Sequence, residues 1–537
     1  MIKKLIKSKI KSTTGAAIAV GAASLVSRFI GLARDKIFAH QFGAGNTLDA
    51  YFAAFRVPDL VYNMLVVGAL SAGFIPVFKE LLEDDTDEAW KVTNGVLNIL
   101  GISLIVICTI LFIFTPQLMQ WVVPGYSGKK LDLTIKMTRV MFLSPILLGL
   151  SSIASGVLQS FKSFIVYSFT PVVYNLGIIA GALFFVPHFG EIGLAWGVIL
   201  GAFLHLAIQV PTLFHLGFEY KFILPWHNPH LKKIGKMMIP RTLGLAANQM
   251  NFLIMTILAS TLAAGSLTIF NFAKNIQYFP VGIIGYSFAL ASFPALSELI
   301  AKEKAEDMTE LLVSTIRKVL FLIIPITILF ILLRVEIVEV VFGSGKFDRQ
   351  SIKQTASALA FFSVSLFAQS LIPVLIRGFF ALKDTWGPFV VATIGMIINL
   401  VAALLLKDSF GISGLAMAFS ISMICQFALL WLLLRNKLGS IRESKLLKLI
   451  AKITPASIFM WLTMYLAEPY LNRLTNFEGM ILTFFYGLIL GGLGLMVYIL
   501  ISYLLKTKEL QQLQSSAKRK YLSWTDIEAE VDEPDEI

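Results

Sequence analysis

Charge is scarce in this chain. Of 537 residues only 15% are Asp, Glu, Lys or Arg, against 57% hydrophobic, and the mean hydropathy is +0.78. So few charged side chains cannot cover a soluble core of that size, which excludes a water-soluble globule and points to a membrane protein. Cysteine is almost absent. Cys108 and Cys425 each lie inside an apolar run (SLIVICTILFIF and ISMICQFALL), which excludes a disulfide framework and a thiolate metal site. Of the six histidines, His227 and His230 in WHNPH form the one close pair, and an interfacial loop anchored by Trp226 accounts for it better than a metal does. The basic start, MIKKLIKSKIK, lacks a compact apolar stretch and a small-residue cleavage site, so it is expected to stay on the mature chain.

Other signatures are missing too. Lys and Arg exceed Asp and Glu by 45 to 33, a net +12, but no basic stripe alternates with aromatics, so nucleic acid is not an expected partner. GlyAlaGly at 43–45 follows a helical pattern rather than a strand and is no dinucleotide site. The acidic run GluAspAspThrAspGlu at 83–88 is a single cluster on a short connector, poor support for a metal-dependent transferase. No nucleophile stands with a base, and no enzyme is expected.

Apolar segments of spanning length recur about fourteen times between residues 15 and 505. Basic residues gather at the N-terminus, in KFILPWHNPHLKKIGK (221–236), in RNKLGSIRESKLLKLIAK (435–452) and in the tail, whereas QFGAGN, VPHFG and LAAGS carry almost none. The positive-inside rule then puts both termini in the cytoplasm.

The chain also repeats itself after about 215 residues. SRFIGLARD (27–35) returns as PRTLGLAAN (240–248), LSAGFIPVFKELL (70–82) as FALASFPALSELI (288–300), and FGEIGLAWGVILGAFLHLAIQ from Phe189 as FGISGLAMAFSISMICQFALL from Phe410. The fold class expected is an all-α polytopic membrane protein with two six-helix lobes, related by a pseudo-two-fold axis along the membrane normal, and two extra C-terminal helices. In order, these are a basic cytoplasmic N-terminus (1–14), an N-lobe (15–218), a cytoplasmic connector (219–231), a C-lobe (232–436), two further spans (437–506) and a disordered cytoplasmic tail (507–537). The extra pair is a candidate contact for a lipid tail. Breaks are expected at Pro58, Pro76, Pro145, Pro240, Pro280, Pro294 and Pro373.

A charged side chain at a span centre costs roughly 2.5–3.5 kcal/mol, so one that persists should face protein or water. Arg28, Arg34 and Asp35 lie in the first span, Arg56 and Asp59 flank Pro58 in the second, Arg241 follows Pro240 in the seventh, and Lys274 sits in the eighth. The repeat makes Arg28 and Arg241 equivalent, and nearly so Arg56 and Lys274, so these cations are expected to line a cavity that selects an anion. The competing reading pairs Arg34 with Asp35 and lets Arg241 snorkel to the interface.

The stretch SRFIGLARDKIFAHQFGAGNTLDAYFAAFRVPDL with GALSAGFIPVF, and later FFALKDTWGP (379–388), resembles the MurJ (MviN) family of lipid II flippases, within the multidrug/oligosaccharidyl-lipid/polysaccharide exporter superfamily. The resemblance implies peptidoglycan biosynthesis at the bacterial cytoplasmic membrane: undecaprenyl-diphosphate-linked disaccharide-pentapeptide carried from the inner to the outer leaflet by alternating access, without ATP. It marks Ser27, Arg28, Arg34, Asp35 and Asp49 as functional positions, with Arg56, Arg241 and Lys274 as further candidate contacts. It requires no cofactor, although some relatives bind sodium, for which Asp384 and Asn399 are the nearest polar candidates. Cell-wall synthesis proteins are the protein partners it suggests. The sequence departs from the family at Tyr62 and Asn63, where basic residues are usual, at Val67 for an acid, and at Asn275 for an arginine. The departures keep open a flippase for another polyprenyl-diphosphate glycan, or a transport-inactive scaffold.

Overall fold

The computed structural model describes residues 13–67, 73–474 and 479–515, and among them every regular element is helical. The basic N-terminus up to residue 12 and the acidic end from 516 lie outside the described residues.

Among the described residues, eight helices are long and apolar enough to cross a membrane, nine if the broken pair Arg349–Val364 and Leu366–Ala381 is one crossing. Two of the eight, Phe164–His215 and Trp386–Leu438, run 52 and 53 residues. A straight helix of that size would be about 80 Å long against an apolar slab of about 30 Å. Both are interrupted at a glycine of positive φ, Gly190 (68°) and Gly411 (56°). These two occupy the same place in the repeat (PheGly of FGEIGLA and FGISGLA), so each half breaks its helix at a residue for which left-handed backbone carries no Cβ penalty. Helices Thr13–Phe42 and Pro229–Ser260 are also long, at 30 and 32 residues, and carry the expected cavity charges; part of each lies outside the residues whose side chains are described.

Of the expected proline breaks, Pro294 and Pro373 lie inside single helices, Tyr286–Ala301 and Leu366–Ala381, while Pro76 opens Ile75–Asp84 and Pro280 ends Ser266–Pro280 before a π-helical turn.

The chain forms two compact units, Met1–Ile276 with Val341–Ala358 and Ala392–Phe419, and Gln277–Val340 with Leu359–Val391 and Ser420–Ile537. Their boundaries are not those of the repeat, because the helix after the connector and the start of the next fold with the N-terminal residues. In the first unit the helices that matter are α1 (Thr13–Phe42), α2 (Asn46–Ala54), α3 (Arg56–Val61), α4 (Thr86–Ile113), α5 (Gly128–Met141), α6 (Phe164–Ala180), α7 (Gly193–Ala207), α8 (Pro229–Ser260) and α9 (Ser266–Pro280, which belongs to this unit as far as Ile276). Helix α6 packs along both α1 and α7. Against α7 the approach is glycine to glycine: Gly177 and Gly181 face Gly201 and Gly197. Small residues four apart let helix backbones meet closely in a bilayer.

The acidic cluster at 83–88 proves to be a helix start, with Asp85 Oδ1 accepting the Glu88 N–H at 3.0 Å as the N-cap of α4. In WHNPH, Asn228 caps α8 by accepting the His230 N–H at 2.9 Å. The connector before it runs extended against two buried asparagines of α4. Asn94 donates to Glu219 O (2.9 Å) and accepts Lys221 N–H (2.9 Å), while Asn98 donates to the carbonyls of Lys221 and Ile223 (3.0 Å each) and accepts from the Tyr220 hydroxyl (3.1 Å). Asn98→Leu is expected to lower stability by about 1–3 kcal/mol and to speed proteolysis between 219 and 228. An unchanged cleavage rate would mean the connector is held by other contacts.

The second unit packs Tyr286–Ala301, Ala305–Leu332 and Leu366–Ala381 around Leu296, Leu312, Ile316, Ile323, Leu371 and Leu375, all buried. The last two spans, Glu443–Leu474 and Met480–Leu504, pack on each other and on Ala305–Leu332, where the Tyr498 hydroxyl donates to Phe321 O at 2.9 Å. Part of the segment expected as a disordered tail is ordered. Residues 508–515 are helical, because Glu509, 4% exposed, pairs with Arg317 at 2.6 Å and Leu510 is buried beside it.

Candidate functional site

Helix α1 is long enough to place Ser27 and Arg34 on one face and Arg28 and Asp35 on the next, since residues seven apart nearly superpose in projection. Arg28 is half-buried. Arg34 donates through Nε (3.0 Å) and NH2 (2.8 Å) to Oδ1 of Asp35, and through NH1 to Asn175 Oδ1 of α6 at 3.0 Å. Asp35 is 1% exposed, and its second oxygen accepts from Asn275 Nδ2 at 2.8 Å. The pairing of Arg34 with Asp35 is therefore real. It leaves that guanidinium compensated, and it puts Asn275, where the family has arginine, on the carboxylate rather than beside a second cation.

The neighbouring cations are less compensated. Arg56, at the start of α3, donates from NH2 to the neutral Asn271 Oδ1 at 2.8 Å, and its Nε is buried without a hydrogen-bond partner. Lys274 stands 3.6 Å from the centroid of the Phe252 ring. Asp59 feels both Arg56 and Lys274 electrostatically. Two cations thus share one carboxylate, an arrangement with positive charge to spare. Tyr62 and Asn63 are occupied structurally: the Tyr62 hydroxyl meets Ser152 Oγ at 2.9 Å and Asn63 donates to Asp59 O at 2.8 Å. Arg241 lies on α8, and its side chain, like that of Val67, is outside the described residues.

Asp49, on α2, is 1% exposed and fully used. Oδ2 accepts from Lys130 Nζ (2.7 Å) and Gly265 N–H (2.8 Å); Oδ1 accepts from Thr268 N–H (2.9 Å) and Thr268 Oγ1 (2.8 Å). It caps the start of α9, where helix-end N–H groups favour an anion. Lys130 is also 3.8 Å from the Tyr126 ring centroid. Sequence reasoning missed the neutral Asn175, Thr268 and Asn271, which carry no charge anomaly, and Lys130, which stands beside Lys129 at the start of a span where a basic residue is unremarkable. The one available signal was spacing: Thr268, Asn271 and Asn275 are i, i+3, i+7 in SLTIFNFAKN and share a helix face.

Neither sodium candidate offers much of a shell. The Asp384 carboxylate is pushed up by burial, but the Gly387 N–H and the Lys437 ammonium at 3.1 Å outweigh this and hold it below its ordinary range. Asn399 donates to Asn251 Oδ1 at 2.6 Å, and its own Oδ1 is buried without a partner. One open oxygen is a ligand rather than a shell, and among the described residues no group of three or more His, Cys, Asp or Glu is gathered for a metal.

Comparison with solved structures gives a TM-score of 0.77 to one described as lipid II flippase MurJ, inward closed conformation, at 23% identity over 91% of this chain and 98% of that one. An inward-facing MATE family transporter of the MOP superfamily gives 0.66 at 16% identity over 80% and 99%. At these identities the likeness shows the fold. Sequence relatives include the lipid II flippase MurJ of Burkholderia cenocepacia, 28% identical over 79% of this chain and 84% of the relative. The probable lipid II flippase MurJ of Buchnera aphidicola subsp. Schizaphis graminum is 30% identical over 78% and 83%. The family described as Lipid II flippase MurJ matches residues 38–485, a span that begins after Arg34 and Asp35 and includes Asp49, Arg56, Asp59 and Lys274. A match over most of the chain, an all-helical fold and several helices fit to cross a membrane agree: the chain is a multi-pass membrane protein and belongs to the MurJ family of lipid II flippases.

Proposed function

We propose that this protein carries lipid II, the undecaprenyl-diphosphate-linked peptidoglycan precursor, from the inner to the outer leaflet of the bacterial cytoplasmic membrane by alternating access. The observation that carries the reading is Arg56: a half-buried guanidinium that hydrogen-bonds a neutral amide, with a buried, open Nε, sharing the Asp59 carboxylate with Lys274. Guanidinium donors match phosphate oxygens in geometry and charge, so a diphosphate would satisfy the open donor and the surplus charge together. Arg34 and Arg28 extend the cationic surface along α1, with Ser27 and Asp35 supporting it and Arg241 as a further contact. Both termini are placed in the cytoplasm by the distribution of Lys and Arg. Outward passage of about two negative charges is favoured by roughly 4.6 kcal/mol per 100 mV of inside-negative potential, so collapsing the potential should stop net flipping. Sodium, if a given membrane supplies it, would use the open oxygen of Asn399, and no step depends on it.

Rescue of a bacterium depleted of its own lipid II flippase tests the reading. The wild-type chain should restore growth, while Arg34→Ala and Arg56→Ala at matched membrane levels should not. Rescue by all three would place the anion elsewhere. Asn275 favours a second reading, a flippase for a different polyprenyl-diphosphate glycan, because the diphosphate contacts would survive while the family's arginine is lost. Failure of well-expressed wild type, with competition by another lipid-linked glycan, would select it.

A further inference from the structure

One face of α9 reads three charged residues of α1, α2 and α3 in turn. Thr268 holds Asp49 through its N–H (2.9 Å) and hydroxyl (2.8 Å), Asn271 holds Arg56 (2.8 Å), and Asn275 holds Asp35 (2.8 Å) and through it Arg34. At 1.5 Å per residue the three rungs span about 10 Å along one helix. All are polar contacts, and each joins α9 to a different helix at the start of the chain.

The rungs differ in what can displace them. The outer rung is a carboxylate with a lysine, two backbone N–H groups and a hydroxyl around it, and an approaching anion would be repelled by Asp49. The inner rung is again a carboxylate, already shared between Arg34 and Asn275. Only the middle rung offers a cation to a neutral acceptor. Asn271 is itself fixed: its Nδ2 donates to Leu267 O at 2.7 Å, which turns Oδ1 toward Arg56. An amide oxygen is a weaker partner for guanidinium than a phosphate oxygen, and a phosphate can also engage the open Nε that Asn271 does not reach.

We infer that Asn271 is a positioning residue for Arg56 and that the substrate's diphosphate opens this middle rung, so that binding the anion loosens the hold of α9 on the first helices. The inference rests on the Arg56 reading above. In the resting protein Asn271 keeps the guanidinium aimed and α9 latched. When a phosphate oxygen replaces the amide oxygen, one of three rungs is released without exposing an uncompensated charge, because the anion takes over the cation as the amide lets it go.

The two substitutions at Asn271 should act in opposite directions, which a merely structural role would not produce. With the full chain in zwitterionic phosphatidylcholine nanodiscs and undecaprenyl diphosphate as the probe, Asn271→Asp should weaken binding by about tenfold, since a formal charge now competes for Arg56. Asn271→Ala should tighten it by about threefold, and Asn271→Gln should fall near wild type. In a Ser266→Cys background with Cys108→Ser and Cys425→Ser, the probe should speed labelling by a water-soluble maleimide, and Asn271→Asp should remove that acceleration. Shifts of the same sign in the Asp and Ala variants, or labelling indifferent to the probe in the background protein, overturn the latch. If Arg56→Ala binds the probe as tightly as wild type, the Arg56 subsite falls and the latch with it. Loss of binding in Arg56→Ala with unchanged affinity in both Asn271 variants removes the latch alone.

Discussion

Asp49→Ala is expected to abolish rescue of a flippase-depleted bacterium and to destabilise the purified protein by roughly 3–5 kcal/mol, the range for removing one partner of a buried ion pair. Four donors lose their acceptor at once: Lys130 Nζ, the N–H groups of Gly265 and Thr268, and the Thr268 hydroxyl. The Lys130 side chain is 14% exposed, and without the carboxylate it keeps the Tyr126 ring but loses its anionic partner. Most of the loss should therefore be the penalty of stranding that cation rather than the worth of the pair. Asp49→Ala with Lys130→Met should recover about half of the lost stability, because the apolar side chain needs no counter-charge. Asp49→Asn should lie between, keeping one acceptor for α9 and losing the counter-charge to Lys130. Thermal unfolding in detergent gives the stability and growth gives the function. If Asp49→Ala melts with the wild type, the carboxylate does not hold the start of α9.

What could be read from the sequence follows from what each signal depends on. Hydrophobicity and loop charge depend on the membrane alone, so the helical membrane class is legible without any tertiary contact. The repeat was equally informative: it aligns Gly190 with Gly411, and both have positive φ where a long helix is interrupted. Charges in apolar surroundings drew attention to Arg34, Asp35, Arg56 and Lys274, and they meet polar or aromatic partners in one compact unit. Their compensation was not legible. Arg34 and Asp35 are adjacent in sequence, yet whether they satisfy one another depends on Asn175 and Asn275, which lie 141 residues from Arg34 and 240 from Asp35. Neutral amides look the same whether they serve a cation or pack against a helix backbone, and only coordinates separate the two. The tail shows the converse. A polar, mixed-charge segment reads as disordered, but Glu509 finds Arg317 and fixes a further helical turn there.

The contact between α6 and α7 sets up a test in which propensity and packing oppose each other. Alanine in place of a helical glycine gains about 1 kcal/mol from backbone entropy when space is open. At Gly487 a Cβ would meet nothing within 4 Å, so Gly487→Ala should be neutral or slightly stabilising. At Gly197 the same Cβ would stand 2.6 Å from Gly181 Cα and 3.1 Å from both Gly181 N and Ile178 O. All three are backbone atoms of α6 or of Gly181 at its end, which no rotamer change can move aside. The helices must separate, and the neighbouring Gly177–Gly201 approach separates with them. Overpacking costs about 1–3 kcal/mol, and against backbone that cannot yield the upper end applies, which outweighs the propensity gain. Gly197→Ala should therefore lower the melting temperature markedly, and Gly197→Leu should prevent the protein from accumulating in the membrane. Arg34 would register the same displacement, because its partner Asn175 sits on α6 two residues before Gly177. Loss of diphosphate affinity in Gly197→Ala at temperatures where the protein is still folded would tie the glycine contact to the anion site. Affinity equal to wild type there would confine the contact to stability.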